Sequence, residues 1–332
     1  MINIRKGRYV NEIANWWLGV VKDHLTKPRH VYVTLGNNKR KYFKSYEEKI
    51  RYQCFLKIFA EANDKRRKRL WLAQLDDWWK NLDKIILVEP DEMAKQVNKW
   101  NKKKTEQTKL LNAWGQVFVD YYEIISNFYG NELVEKLNIK TCPYCNRQFI
   151  YTFKGRAPER PELDHFFPKS EYPLYCLSFY NLIPSCHSCN HVKSNSLIGV
   201  NPYDKAFNGR FIITDNKGRK LSNSKIYKLT EKEIRLDFED DDADEEINET
   251  VLGLKDVYNK HKDYVKELID KSMAYDKNAR DVLVNSFQSA GYNPRQVYDF
   301  VWGRHLMDAQ YEDRPLSKLT KEVLDLLDIE RG

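Results

Sequence analysis

The chain has 332 residues, 42% hydrophobic and 31% charged, with 13 glycines and 11 prolines. That balance excludes a disordered chain, and the lack of any apolar run of about eighteen residues excludes a membrane span. The net charge of +8 is uneven: residues 1–140 hold 28 Lys and Arg against 17 Asp and Glu, so a polyanion would be held by the N-terminal part.

Within residues 1–29 the stretch Asn11 to Val21 is aromatic-rich and helical, and Pro28 ends it. His30 to Phe43 alternates around Gly36-Asn37-Asn38 and reads as a small hairpin whose second arm is basic and aromatic. Such an arm suits a nucleic-acid backbone with stacking partners, and it equally suits a cover for the helical core. From Tyr46 to Trp79 the helical period is clear, with Ile50, Cys54, Phe55, Ile58 and Phe59 on one face. The run Lys65 to Arg69 interrupts it. Five consecutive cations radiate round most of a helix, so Arg66, Arg67 and Arg69 are candidate nucleic-acid contacts, against the plainer readings of a solvated face or an acidic protein partner. Trp71, Trp78, Trp79, Trp100 and Trp114 read as core side chains. Pro90 introduces a helix from Asp91 to Lys103; Thr105 to Tyr129 reads as a long apolar helix closed by Gly130, and Glu132 to Leu137 follows.

Residues 142–193 carry the chemistry. Cys142-Pro143-Tyr144-Cys145 and Cys186-His187-Ser188-Cys189 are separated by 40 residues, and two such turns deliver four thiolates to one tetrahedral structural zinc. Disulfides would need an oxidising compartment, yet the opening MINIRKGRYV has no apolar signal core, so a cytoplasmic location is expected. A redox pair would need a βαβ setting that the pattern lacks. Cys54 and Cys176 fall outside the tetrad and read as buried thiols. Between the knuckles, Arg160 to Lys169 and Phe179 to Pro184 are strand-length apolar pieces stopped by proline, a two-stranded ribbon, and Asn190 to Asn195 begins a short helix.

In the order Cys-x-x-Cys, Asp164-His165, Asn181-Leu182, Cys-x-x-Cys-Asn190 and Lys193, residues 140–200 resemble the HNH endonucleases, the zinc-bearing branch of the ββα-metal nucleases. The resemblance implies that Asp164 and Asn190 bind the catalytic metal, His165 is the general base, and Asn181 fixes the loop between the strands without touching metal. It also implies products with 5′-phosphate and 3′-hydroxyl ends. Asparagine stands where the family often has its last histidine, and Ser170-Glu171-Tyr172-Pro173 replaces the common Gly-Gly. The chemistry agrees: oxygen ligands select Mg2+ or Mn2+, and a histidine of pKa about 6.5 takes the proton of water. Plainer readings are an Asp-His pair that only orients a zinc ligand and an Asn190 that only caps its helix. His187 and His191 face solvent or substrate, His191 becoming a ligand if the register shifts by one; Lys169 and Lys193 are candidate phosphate contacts.

Beyond this unit, Phe211 to Thr214 and Ile226 to Leu229 read as strands around an Asp215-Asn216-Lys217-Gly218 turn, with a third strand from Ile234 to Phe238. The acidic run Asp237 to Glu246 lacks a calcium-loop pattern and reads as a solvated loop, with masking of the basic face as the lesser alternative. Helices are expected from Leu254 to Ile269, with His261 a hydrogen-bonded core histidine, and over Asp281 to Gln288, Arg295 to Leu306 and Ser317 to Leu327. These helices resemble the tails of HNH proteins that accompany ATPases in bacterial anti-phage systems such as Septu, which implies an ATPase partner. The expectation is an α+β, mostly helical chain: a basic helical region (1–139), an HNH module braced by zinc (140–200), and small strands, an acidic loop and helices (201–332). Its expected function is metal-dependent cleavage of DNA; a silent zinc module that binds nucleic acid or a protein is the other class.

Overall fold

The computed structural model describes residues 2–4, 8–61, 64–102, 106–153, 160–205, 208–239, 242–303 and 308–329. It is a mixed, mostly helical fold with small antiparallel sheets. The N-terminal half is α1 (Arg8–Thr26), the hairpin β1 (Val31–Thr34) and β2 (Arg40–Phe43), then α2 (Tyr46–Glu61), α3 (Lys65–Lys80), α4 (Leu82–Ile86), α5 (Pro90–Lys102) and α6 (Glu106–Leu137). Next come β3 (Glu162–His165), β4 (Leu182–Ser185) and α7 (His187–Lys193). The remainder is β5 (Arg210–Ile213), α8 (Asn223–Ile226), β6 (Leu236–Glu239), α9 (Ala243–Leu252), α10 (Leu254–Tyr258), α11 (Lys262–Ala274), α12 (Lys277–Ser289), α13 (Pro294–Trp302) and α14 (Ser317–Leu326).

The expected hairpin forms around Asn37 and Asn38, both at positive φ, a conformation asparagine tolerates. The cationic run does not interrupt one helix but opens another. Asp64 caps α3 by accepting from the Arg67 amide, and the carboxylate offsets cations at the positive end of the helix. Among the described side chains of α2 only Ile50, Cys54 and Ile58 are buried; Phe55 and Phe59 lie one residue, about 100°, round the helix and are exposed. Trp71 and Trp78 are buried and Trp79 partly so, while the side chains of Trp100 and Trp114 lie outside the described residues, as does Lys103.

Helix α6 is the spine. It runs through Gly130, which was expected to close it: an interior glycine costs a helix only about 1 kcal/mol. Its face of Val117, Phe118, Tyr121, Tyr122, Ile125, Leu133 and Val134 is buried in a core that also takes in side chains of the ribbon and of α14. At Gly115 a Cβ would lie 2.1 Å from Pro173, so the loop between β3 and β4 seats against bare helix backbone. Trp17 of α1, fully buried, holds the same loop by donating from Nε1 to the Leu177 carbonyl at 2.9 Å.

Four expectations in the C-terminal part change. Ile226 to Leu229 is not a strand; two apolar residues three apart fit a helical turn equally well, and Ile226 ends α8 while β5 pairs with β6. The helix from Leu254 to Ile269 is two helices, α10 and α11. His261 sits at the junction with Nε2 3.3 Å from Nη1 of Arg147. The acidic run is not a loop: Asp237 to Glu239 lie in β6, Asp242 caps α9, and buried Glu245 accepts from the amides of Asn208 and Gly209; Asp240 and Asp241 are outside the described residues. The helix expected to end at Leu306 ends at Trp302, where Gly303 caps it at a φ of 64°; residues 304–307 lie outside the described residues.

Candidate active site

β3 pairs antiparallel with β4, Asp164 opposite Ile183 and His165 opposite Leu182, and α7 follows one residue later. In a two-stranded ribbon each strand keeps one edge unpaired, which is why Pro184 is tolerated in β4. Consecutive β3 residues, Glu162 to His165, border one cavity of about 670 Å³, as they do when a cavity lies along such an edge. Tyr122, Glu123, Ser126 and Asn127 of α6 form its far wall, and Asn190, His191, Ser194 and Asn195 its side. Ser194 takes a positive φ of 45°, a costly conformation for a residue with a Cβ, where α7 ends at the cavity.

The four cysteines come together. Their sulfurs all lie within 4.8 Å of one another, all are buried, and Cys145 and Cys186 approach to 3.9 Å with no disulfide. Tetrahedral bonds of about 2.3 Å put sulfurs about 3.8 Å apart, so the cluster can hold a metal such as zinc. Burial pushes the Cys142 thiol well up, while a hydrogen bond with Cys142 pulls Cys145 down; four thiolates this close need a cation. Amides of Cys186 and Arg147 donate to the sulfurs of Cys142 and Cys145, each at 3.4 Å.

His165 is buried against the edge of Tyr122, ring centroids 4.5 Å apart. Its Nε2 lies 3.1 Å from the Cys176 carbonyl, which can only accept, so Nε2 carries the proton and the neutral ring keeps its lone pair at Nδ1. Burial lowers its pKa to about 3, below the value of about 6.5 expected of the base, so the ring is neutral at neutral pH but accepts a proton less readily than an exposed histidine. Asn181, fully buried, accepts from the Phe167 amide at 2.7 Å and donates to the carbonyls of Phe167 and Tyr175. It ties the two ends of the loop that carries the Cys176 carbonyl.

Asp164 is buried and doubly engaged: Oδ2 accepts from the Tyr144 hydroxyl at 2.6 Å, and the Lys193 ammonium lies 3.2 Å from Oδ2 and 3.3 Å from Oδ1. Burial raises the carboxyl pKa and lowers that of Lys193, each shift opposed by the partner's charge. Lys193, expected at a phosphate, is instead wholly buried, its ammonium donating also to the His165 carbonyl at 2.7 Å. A lysine three residues past Asn190 returns to the same side of α7 and so points inward. Lys169 stays at the cavity rim, 3.7 Å from Glu123 and above the Tyr122 ring. Arg66, Arg67 and Arg69 lie in the first turn and a half of α3 and do not line the cavity; Arg66 and Arg69 are exposed.

Asn190 donates from Nδ2 to Glu162, and among the described residues its side-chain oxygen Oδ1 has no hydrogen bond. The other Glu162 oxygen meets Nδ1 of exposed His187 at 2.8 Å, and the His187 ring stacks on His191. Glu162, Tyr144 and Arg160 were not singled out from the sequence. Glu162 was within reach, since residues two apart on a strand share a face and Asp164 is its partner; nothing local marks Tyr144 or Arg160. A scan of the chain against models of known protein families finds no match, and no curated protein or solved structure matches it. Among the described residues no helix is long and apolar enough to cross a membrane.

Proposed function

We propose that the chain is a metal-dependent endonuclease of the HNH kind that hydrolyses phosphodiester bonds of DNA. One observation carries the reading: a neutral histidine whose Nδ1 has no hydrogen bond among the described residues borders the same cavity as the Asp164 carboxylate and the side-chain oxygen of Asn190. In this role His165 takes a proton from water, while Asp164 and Asn190 hold Mg2+ or Mn2+, which neutralises charge on the phosphate and the leaving oxygen. Asn181 keeps the His165 loop in place, and a zinc on the four cysteines braces the ribbon. An ATPase partner and an effector role in anti-phage defence extend the same proposal from the likeness of the C-terminal helices.

The Asp164–Lys193 contact favours a second reading, a silent zinc module, because the ammonium reaches both carboxylate oxygens. Plasmid incubated with the protein and Mg2+ or Mn2+ separates the two. The nuclease nicks it, a chelator stops the nicking, and His165→Ala abolishes it; a silent module leaves the plasmid intact, and equal nicking by both proteins sinks the assigned base.

A further inference from the structure

Three cations stand at or beside the cavity, and two of them are neutralised. Lys169 lies by Glu123 and Lys193 is bound to Asp164. Arg160 is the exception: half-buried and lining the cavity, it donates from Nη2 to Ser126 Oγ at 2.7 Å and from Nη1 to the Pro161 carbonyl at 3.0 Å, both neutral groups. Among the described residues it has no carboxylate partner. Gly130 makes this seat, since a Cβ there would meet Nε at 3.0 Å and Cζ at 3.1 Å. A guanidinium fixed by neutral partners has lost rotational freedom in advance and keeps its full charge for an anion.

We propose that Arg160 is the phosphate anchor of the cavity, taking a non-bridging oxygen of the substrate backbone next to the bond that reacts. The inference rests on the nuclease reading and names a binding residue that the reading does not supply. Ser194, Asn195 and Asn127 border the same cavity and offer neutral hydrogen-bonding groups along the strand so held.

The test measures binding by the full chain without divalent ions, using a short labelled DNA, single-stranded and duplex, and fluorescence anisotropy over a salt series. Arg160→Ala is expected to weaken binding of the preferred form about tenfold. It also lowers the salt slope by about 0.7 for a single strand or 0.9 for a duplex, the loss of one phosphate contact. Gly130→Ala keeps every charge, adds helix propensity, and pushes the guanidinium aside; it is expected to weaken binding by a smaller factor. Unchanged affinity and slope in both variants overturn the anchor, and so does an unaltered protein that binds neither form. Binding that depends on Arg160 without His165-dependent nicking counts against the nuclease reading alone, whereas nicking with Arg160-independent binding counts against the anchor alone.

Discussion

Tyr144 lies inside the first Cys-x-x-Cys turn, and its hydroxyl donates a 2.6 Å hydrogen bond to Asp164 Oδ2. The turn that brings two sulfurs to the cysteine cluster thus also sets the carboxylate at the cavity, and both groups are buried. The cysteine cluster and the cavity share one side chain.

Tyr144→Phe removes that hydroxyl and nothing else. Its loss is expected to cost about 1–3 kcal/mol of stability, the range for a buried hydrogen bond to a charged acceptor, and to slow cleavage while zinc content stays unchanged. Urea denaturation, metal analysis and the nicking rate together check this; a variant that loses its zinc would place Tyr144 in the cluster rather than between the two sites.

Lys193→Met strands the Asp164 carboxylate. Breaking one side of a buried ion pair costs about 3–5 kcal/mol, read by urea denaturation at neutral pH. A carboxyl whose folded pKa is raised keeps its stability below its unfolded pKa and loses it as pH rises, so the deficit is expected to shrink as pH is lowered. A deficit independent of pH would mean that the lysine stem, not its charge, matters.

Acid sensitivity should come from two buried imidazoles. Burial lowers His165 to about 3, and burial together with Arg29 lowers His24 to about 4; His24 lies 2.8 Å from the Tyr121 hydroxyl. Both folded values lie below the unfolded value of about 6.5, so between them the unfolded chain binds more protons. Stability present above about pH 6.5 is therefore lost as pH falls toward 4, and His24→Gln is expected to flatten that slope in denaturation curves taken across the range.

Purified protein is expected to carry about one zinc per chain by elemental analysis. Cys186→Ser should remove it and lower the melting temperature, since ribbon and α7 are joined through that cluster. Full thermal stability without zinc would leave the four thiols as core side chains.

Much of the site was legible because its chemistry is local. The two Cys-x-x-Cys turns follow from spacing, and the structure brings their cysteines together; Asp164, His165 and Asn190, singled out by resemblance, border one cavity. Lys193 misled because a charged residue is assumed to face water, and only the fold reveals Asp164 waiting inside. Gly130 was read as a helix end because the close approach of Arg160, thirty residues on, leaves no mark near the glycine. Ile226 to Leu229 failed for a different reason: four residues are too few to separate the two periods.

The most direct measurement is Mn2+ binding followed by electron paramagnetic resonance on the zinc-loaded protein and on Asp164→Ala and Asn190→Ala. The account predicts a Mn2+ site in the unaltered chain that both substitutions weaken or abolish, while zinc is retained. Manganese held equally by all three proteins, or by none, would contradict it.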